Sequence, residues 1–131
     1  MYYQVIVTDK QGTVGGQMYD KPVAALQTFA RYLMANNSYK VMFHKTGLNI
    51  CTLDSKNLSY GVVTVDNKGN QHVEFYANYD FQDILLKLKQ FKEGYKIASI
   101  YVRTAVIVDL KTAEIAKVYQ TEESDFDVDN I

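Results

Sequence analysis

Apolar positions recur along this chain with two periods, and the switches between them divide it into elements. Tyr2–Thr8 and Thr13–Tyr19 alternate apolar and polar side chains, and Asp9-Lys10-Gln11-Gly12 between them has turn composition. This predicts a hairpin in which Gly12 supplies a positive φ at little steric cost. The period then lengthens. Val23, Leu26, Phe29, Ala30, Leu33 and Met34 recur at helical spacing and make one apolar stripe. Asp20 is placed to cap this helix, and Pro22 falls in its first turn, where a missing N–H costs nothing. Four extended segments follow at Tyr39–Lys45, Leu48–Asp54, Leu58–Asp66 and Gln71–Ala77, separated by short polar turns. Asp80 then caps a second predicted helix, with Asp83 in the capping-box position. Its stripe is Phe81, Ile84, Leu85, Leu88 and Phe91, and Gly94 suits its end. Extended segments at Lys96–Leu110 and Glu114–Gln120 complete the pattern.

The order ββα ββββ α ββ divides into two ββαββ halves, about 1–57 and 58–120. Tyr3–Tyr19 laid on Tyr60–Tyr76 matches at Tyr3/Tyr60, Val5/Val62, Asp9/Asp66, Gly12/Gly69 and Tyr19/Tyr76, five identities in 17 positions without a gap. Further on, Tyr39-Lys40-Val41 answers Tyr95-Lys96-Ile97, and Asp54 and Lys56 answer Asp109 and Lys111. The expected fold is therefore α+β. It has antiparallel sheets and two helices, with the halves duplicated about a pseudo-twofold and the helices covering one side. Such packing leaves another sheet face, or a groove between the halves, open for binding.

Composition changes the picture in two places. Five of the 15 acids lie in residues 122–131, which hold no basic residue, so the first 121 residues carry 14 Lys and Arg against 10 acids, a net of +4. The expectation is one domain over 1–121 and an acidic, flexible tail over 122–131. Tyrosine is abundant, with 11 Tyr beside 6 Phe and no Trp, in keeping with strand-rich structure. The apolar runs are too short to span a bilayer, and the alternating start reads as a strand and not a leader. Cys51 is alone, which excludes an internal disulfide and suits a reducing cytoplasm.

Few residues carry recognisable chemistry. Asp9, Asp54, Asp66 and Asp109 each end a strand at an Asp-Lys or Asp-x-Lys turn, where Asp binds its own backbone, so they read as turn formers and not a metal cluster. Gly12, Gly15 and Gly16 match neither phosphate-loop nor dinucleotide spacing. Gly12 has a repeat partner in Gly69. Gly15 and Gly16 face His72 and Val73 in the repeat, so the hairpin does not require them. They read first as a bulge and second as a ligand or partner contact. His44 and His72 lack further ligands at zinc spacing, and Cys51 lacks a basic partner. No catalytic motif, metal or cofactor is indicated, and a non-enzyme is expected.

Adjacent strand residues point to opposite faces, so part of the Tyr-rich set, including Tyr39, Tyr76, Tyr79 and Tyr101, faces outward, with Arg103 near it. Aromatics beside cations stack single-stranded bases, while Tyr-rich surfaces also mark protein interfaces. A net of +4 is weak for nucleic acid. In the tail, Phe126 and Val128 alternate with Asp125, Asp127 and Asp129, a pattern suited to docking in a basic groove. These ten or so residues resemble the acidic, hydrophobic-ended tails of bacterial single-stranded-DNA-binding proteins, without their final Pro-Phe. The leading expectation is a binding or accessory protein, of a bacterial or phage type, acting on a protein partner. The alternatives are a single-stranded nucleic-acid binder with a competing tail, and a ligand binder or enzyme using Gly15 and Gly16. A homo-oligomer is compatible with all three.

Overall fold

The computed structural model describes residues 2–12, 14–35, 38–46, 48–53, 58–66, 68–77, 82–84, 102–120 and 131. For 38–39, 48–53, 58, 77 and 102–103 the description covers the backbone alone. The chain is α+β with two four-stranded antiparallel sheets. Strands β1 (Tyr3–Asp9), β2 (Val14–Tyr19), β3 (Ser38–Lys45) and β4 (Leu48–Leu53) form the first in the order β2-β1-β3-β4. Strands β5 (Leu58–Asp66), β6 (Gln71–Ala77), β7 (Val102–Asp109) and β8 (Ile115–Gln120) form the second in the order β6-β5-β7-β8. Helix α1 spans Pro22–Met34. Of the second predicted helix, only a turn at Gln82–Ile84 lies within the described residues, as does only the Val102–Asp109 part of the extended segment predicted from Lys96.

The two hairpins pair in the same register at a separation of 57 residues. Tyr3 faces Tyr19 as Tyr60 faces Tyr76, and Thr8 faces Val14 as Val65 faces Gln71. Their turns match as well. Gly12 and Gly69 have φ of 81° and 82°, and each donates its N–H to the carbonyl of Asp9 or Asp66 at 3.1 Å. The Asp9 and Asp66 side chains accept from the amides of Gln11 and Lys68, both at 2.9 Å. The turn reading thus holds at these positions, and at Asp109, which accepts from Lys111 N at 2.8 Å; Asp54 lies outside the described residues.

Of the later matches of the expected repeat, that of Tyr39-Lys40-Val41 to Tyr95-Lys96-Ile97 falls partly outside the described residues, and that of Asp54 to Asp109 is corrected. Asp109 ends β7 and opens the turn into β8, whereas Asp54 follows β4. They are not at corresponding places in the two sheets. The expected pseudo-twofold also fails, for a reason of faces. Tyr3 and Val5 lie on the face that meets α1, while Val62, 57 residues after Val5, faces away from α1 and packs with Ile84, Ala105 and Ile107. Corresponding faces therefore point the same way through the stack, whereas a twofold would turn them toward each other. The layers run first sheet, α1, second sheet, Ile84 turn.

Helix α1 is not laid on one side of the sheets but wedged between them. It contacts β1, β2 and β3 on one side and β5 and β7 on the other. Its buried residues, Pro22, Val23, Ala25, Leu26, Thr28, Phe29 and Ala30, cover an arc wider than one stripe. Gly61 makes this possible on the second sheet, because a Cβ there would stand 2.9 Å from Leu26 Cδ2. Beside the helix the sheets meet directly. Phe29, Phe43 and Phe75, one from each layer, pack edge to face at 5.4–5.8 Å between centroids. Tyr3 donates to Gln71 Oε1 at 3.1 Å and Lys45 Nζ to Gln71 O at 2.7 Å. Burial pushes the Tyr3 phenol up to about 12.

The start of α1 also departs from expectation. Its N-cap is Lys21, not Asp20, and no side chain caps it. An orphan N–H at the first turn, that of Val23, instead donates to the carbonyl of Ile131 at 2.8 Å. The Ile131 side chain is buried in the shared core with Leu110 and Ala113. Residues 121–130 lie outside the described part, but the tail's last residue is held by the body.

Candidate functional site

Each sheet ends in two edge strands, and an edge presents unpaired backbone groups that invite another strand. Natural edges are guarded by charge, proline or a bulge. Strand β6 carries His72 and Glu74, and β8 carries Lys117. Register shifts interrupt the pairing of β4, β6 and β8 with their neighbours. Strand β2, Val14-Gly15-Gly16-Gln17-Met18-Tyr19, has none of these guards. It holds no charge and no proline, and it pairs with β1 without a shift.

That regular pairing corrects the expectation of a bulge at Gly15 and Gly16. Among the described residues the glycines answer to no close approach either. A Cβ at Gly15 would meet nothing within 4 Å, and one at Gly16 would make ordinary contacts of 3.6 Å with Val5 O and 3.7 Å with Ile6 Cγ1. Neither has a positive φ, in contrast to Gly12 and Gly69. Both sit exposed on β2.

The side chains around them make a weakly polar surface. The register places Met18 beside Gln4, Gly16 beside Ile6 and Val14 beside Thr8, all on the face of the first sheet turned away from α1. On the other flank of β1 the same face carries His44, Met42 and Lys40. Val14 and Met18 are 65% and 63% exposed, the two most exposed large apolar side chains among the described residues. The register-equivalent face of the second sheet, at Gly61, Val63 and Val65, is the one α1 covers. Strand β2 is nonetheless firmly held. Thr28 of α1 donates to the Tyr19 hydroxyl at 2.7 Å, which donates to Gln17 Oε1 at 2.5 Å.

The other predicted site residues do not gather here. Tyr76 lies on the far face of the second sheet, half-buried beside Tyr60 and Tyr119, and donates to Glu74 Oε2 at 2.6 Å. Tyr39 and Arg103 occupy β3 and β7. Tyr79, Tyr101, Phe126 and Asp127 lie outside the described residues. Lys117 Nζ stands 5.7 Å from the centroid of its neighbour Tyr119, a cation–π contact within β8. Val14 and Met18 were missed in the sequence. The signal was present, as alternation of Val14, Gly16 and Met18 without an interposed charge.

Titratable groups offer little chemistry at this face. Asp66, at the tip of the β5–β6 hairpin, is buried and accepts from Lys68 N and Asn70 N at 2.9 Å and stands 3.1 Å from His72 Nε2. Burial raises its carboxyl, but the His72, Asn70 and Lys68 hydrogen bonds outweigh that and hold it below the ordinary carboxylate range. On the outer face of the first sheet, His44 Nε2 is buried and without a partner among the described residues. Among those residues no three His, Cys, Asp or Glu side chains come together to hold a metal, and no helix is long and apolar enough to cross a membrane. Comparison with protein-family models, with curated proteins and with solved structures finds no match to this chain.

Proposed function

We propose that this is a non-enzymatic binding module that engages a protein partner by strand addition at β2. The observation that carries this reading is the unguarded edge, uncharged and regularly paired, with Val14 and Met18 exposed on it. Strand addition draws affinity from main-chain hydrogen bonds and specificity from alternate side chains. Gly15 and Gly16 leave the backbone bare where the added strand would run, while Val14 and Met18 offer apolar contact on alternate positions. Tyr19, tied to Thr28, keeps the edge ordered before binding, which lowers the entropic cost of association.

The tandem origin belongs to the same proposal. The shared hairpin register, the matched Asp–Gly turns and the parallel strand orders support two related units, stacked in the same sense. In that arrangement the second sheet's inner face is occupied by α1, and the first sheet's outer face is its open counterpart. The Lys117–Tyr119 contact leaves that cation already engaged, and nothing else described gathers cations on an aromatic face, so a protein partner is favoured over single-stranded nucleic acid.

Selection from a displayed library of random linear peptides tests the reading. Peptides enriched on the wild-type chain are expected to be uncharged and rich in β-branched residues, and to lose binding to a Val14→Lys/Met18→Lys variant. Enriched peptides that bind the variant equally well, or no enrichment by a monomeric chain, would sink it. The circular dichroism of the variant establishes that both proteins are folded.

A further inference from the structure

We propose that the partner strand at β2 comes from a second copy of this chain, paired antiparallel about a twofold axis through Gly16. The inference rests on the strand-addition reading and names its occupant. In a regular antiparallel pair, residues directly opposite each other share a face. A twofold at Gly16 therefore sets Val14 of one copy against Met18 of the other, and Met18 against Val14, on the outer face of the joined sheet. The two most exposed large apolar side chains among the described residues then cover one another, twice. Gly15 falls opposite Gln17, and Gly16 opposite its own copy, so no side chain stands at the axis where the strands come together.

Other registers do less. Opposite residues must share a face, so a symmetric pairing can shift only in steps that move the axis to Gly15 or Gln17. Centred at Gly15, the pairing leaves Met18 outside β2's overlap. Centred at Gln17, it leaves Val14 outside. The register at Gly16 alone brings both apolar residues into the overlap of the two β2 strands, and it joins the sheets into one of eight strands. The three other edges carry register shifts, and two of them carry charged or ionisable side chains, so β2 is the edge on which a second copy meets least resistance. Five paired residues make a small interface, and such a dimer dissociates on dilution.

Sedimentation of the full chain over a wide concentration range is expected to show a reversible monomer–dimer equilibrium. The Val14→Lys/Met18→Lys variant is expected to sediment as monomer throughout. In a Cys51→Ser background, Gly16→Cys is expected to form a disulfide-linked dimer on mild oxidation, because its counterpart lies directly opposite, within the roughly 4.4–6.8 Å Cα separation a disulfide spans. Gly15→Cys is expected to cross-link far less. Both positions have room for a Cβ, so both variants retain the fold. A wild-type chain that stays monomeric, a dimer that persists in the lysine variant, or equal cross-linking at both positions would overturn the proposal. A monomer that still enriches peptides, and loses them in the lysine variant, overturns self-pairing and leaves strand addition standing. A monomer that enriches none sinks both.

Discussion

Asp66 shows how one side chain holds a turn and what happens when its charge is removed. Asp66 is 6% exposed, and two amides and His72 surround its carboxylate. The net effect is a folded-state carboxyl more acidic than that of the unfolded chain. The carboxylate therefore contributes stability above the unfolded value, and the contribution is lost as pH falls through the folded one. Asp66→Asn is expected to destabilise the chain by about 1–3 kcal/mol at pH 7, the usual cost of weakening buried hydrogen bonds to a charged group. The gap between variant and wild type should narrow steadily from pH 5 to pH 3, measured by urea unfolding at each pH. A gap that stays constant over that range would show that the charge of Asp66 is not what holds the turn. Asp9, at the corresponding place in the first hairpin, makes the same turn but lacks the His72 contact. It was readable from the same Asp-x-x-Gly pattern, whereas the His72 contact was not, since it depends on cross-strand neighbours.

At the scale of elements, the strands were largely legible because period-two alternation survives wherever a sheet has one buried face. β5 and β6 fall where the pattern put them, and the other described boundaries move by a residue or two, apart from β7, whose predicted start at Lys96 lies outside the described residues. The surroundings of α1 were not legible. Its apolar stripe describes one face, while burial of Ala25 and Thr28 on the wider arc involves small side chains that carry no hydrophobic signal. Met34, counted in the stripe, is 52% exposed. The cap was misread because Ile131, about a hundred residues away, supplies the acceptor that Asp20 was expected to provide. Gly61 was the one sequence cue to the second sheet's approach, a glycine inside a strand where a neighbour comes close. Gly61→Ala is expected to cost about 1–3 kcal/mol, as overpacking does, because Leu26 is fully buried and its methyl groups must move. Leu26→Ala should cost less in the Gly61→Ala background than alone. Additive costs in that double-mutant cycle would mean that the two residues do not press on each other.

The molecule as a whole is bound together by the layer it shares. Phe29 from α1, Phe43 from the first sheet and Phe75 from the second meet in one cluster, and Tyr3 and Lys45 reach across to Gln71. Neither sheet can keep its buried face without the other. Residues 1–57 alone would expose the side of α1 that meets Gly61, Val63 and Val106, and residues 58–120 alone would expose that same sheet face. A tandem of two units would suggest two unfolding transitions, but the shared layer argues for one. Urea unfolding followed by far-UV circular dichroism and by tyrosine fluorescence should give coincident curves. Phe75→Ala, which removes contacts to both other layers, should shift both curves together by about 3–5 kcal/mol without separating them. Curves that separate in the wild type, or an isolated 1–57 fragment that folds cooperatively, would show two independent domains. The open outer face of the first sheet would then be one domain's ordinary surface, and the comparison with the α1-covered face of the second sheet would lose its force. Coincident curves would instead make β2 the exposed margin of a single cooperative unit, an edge whose sheet is held in place by the core shared with α1 and the second sheet.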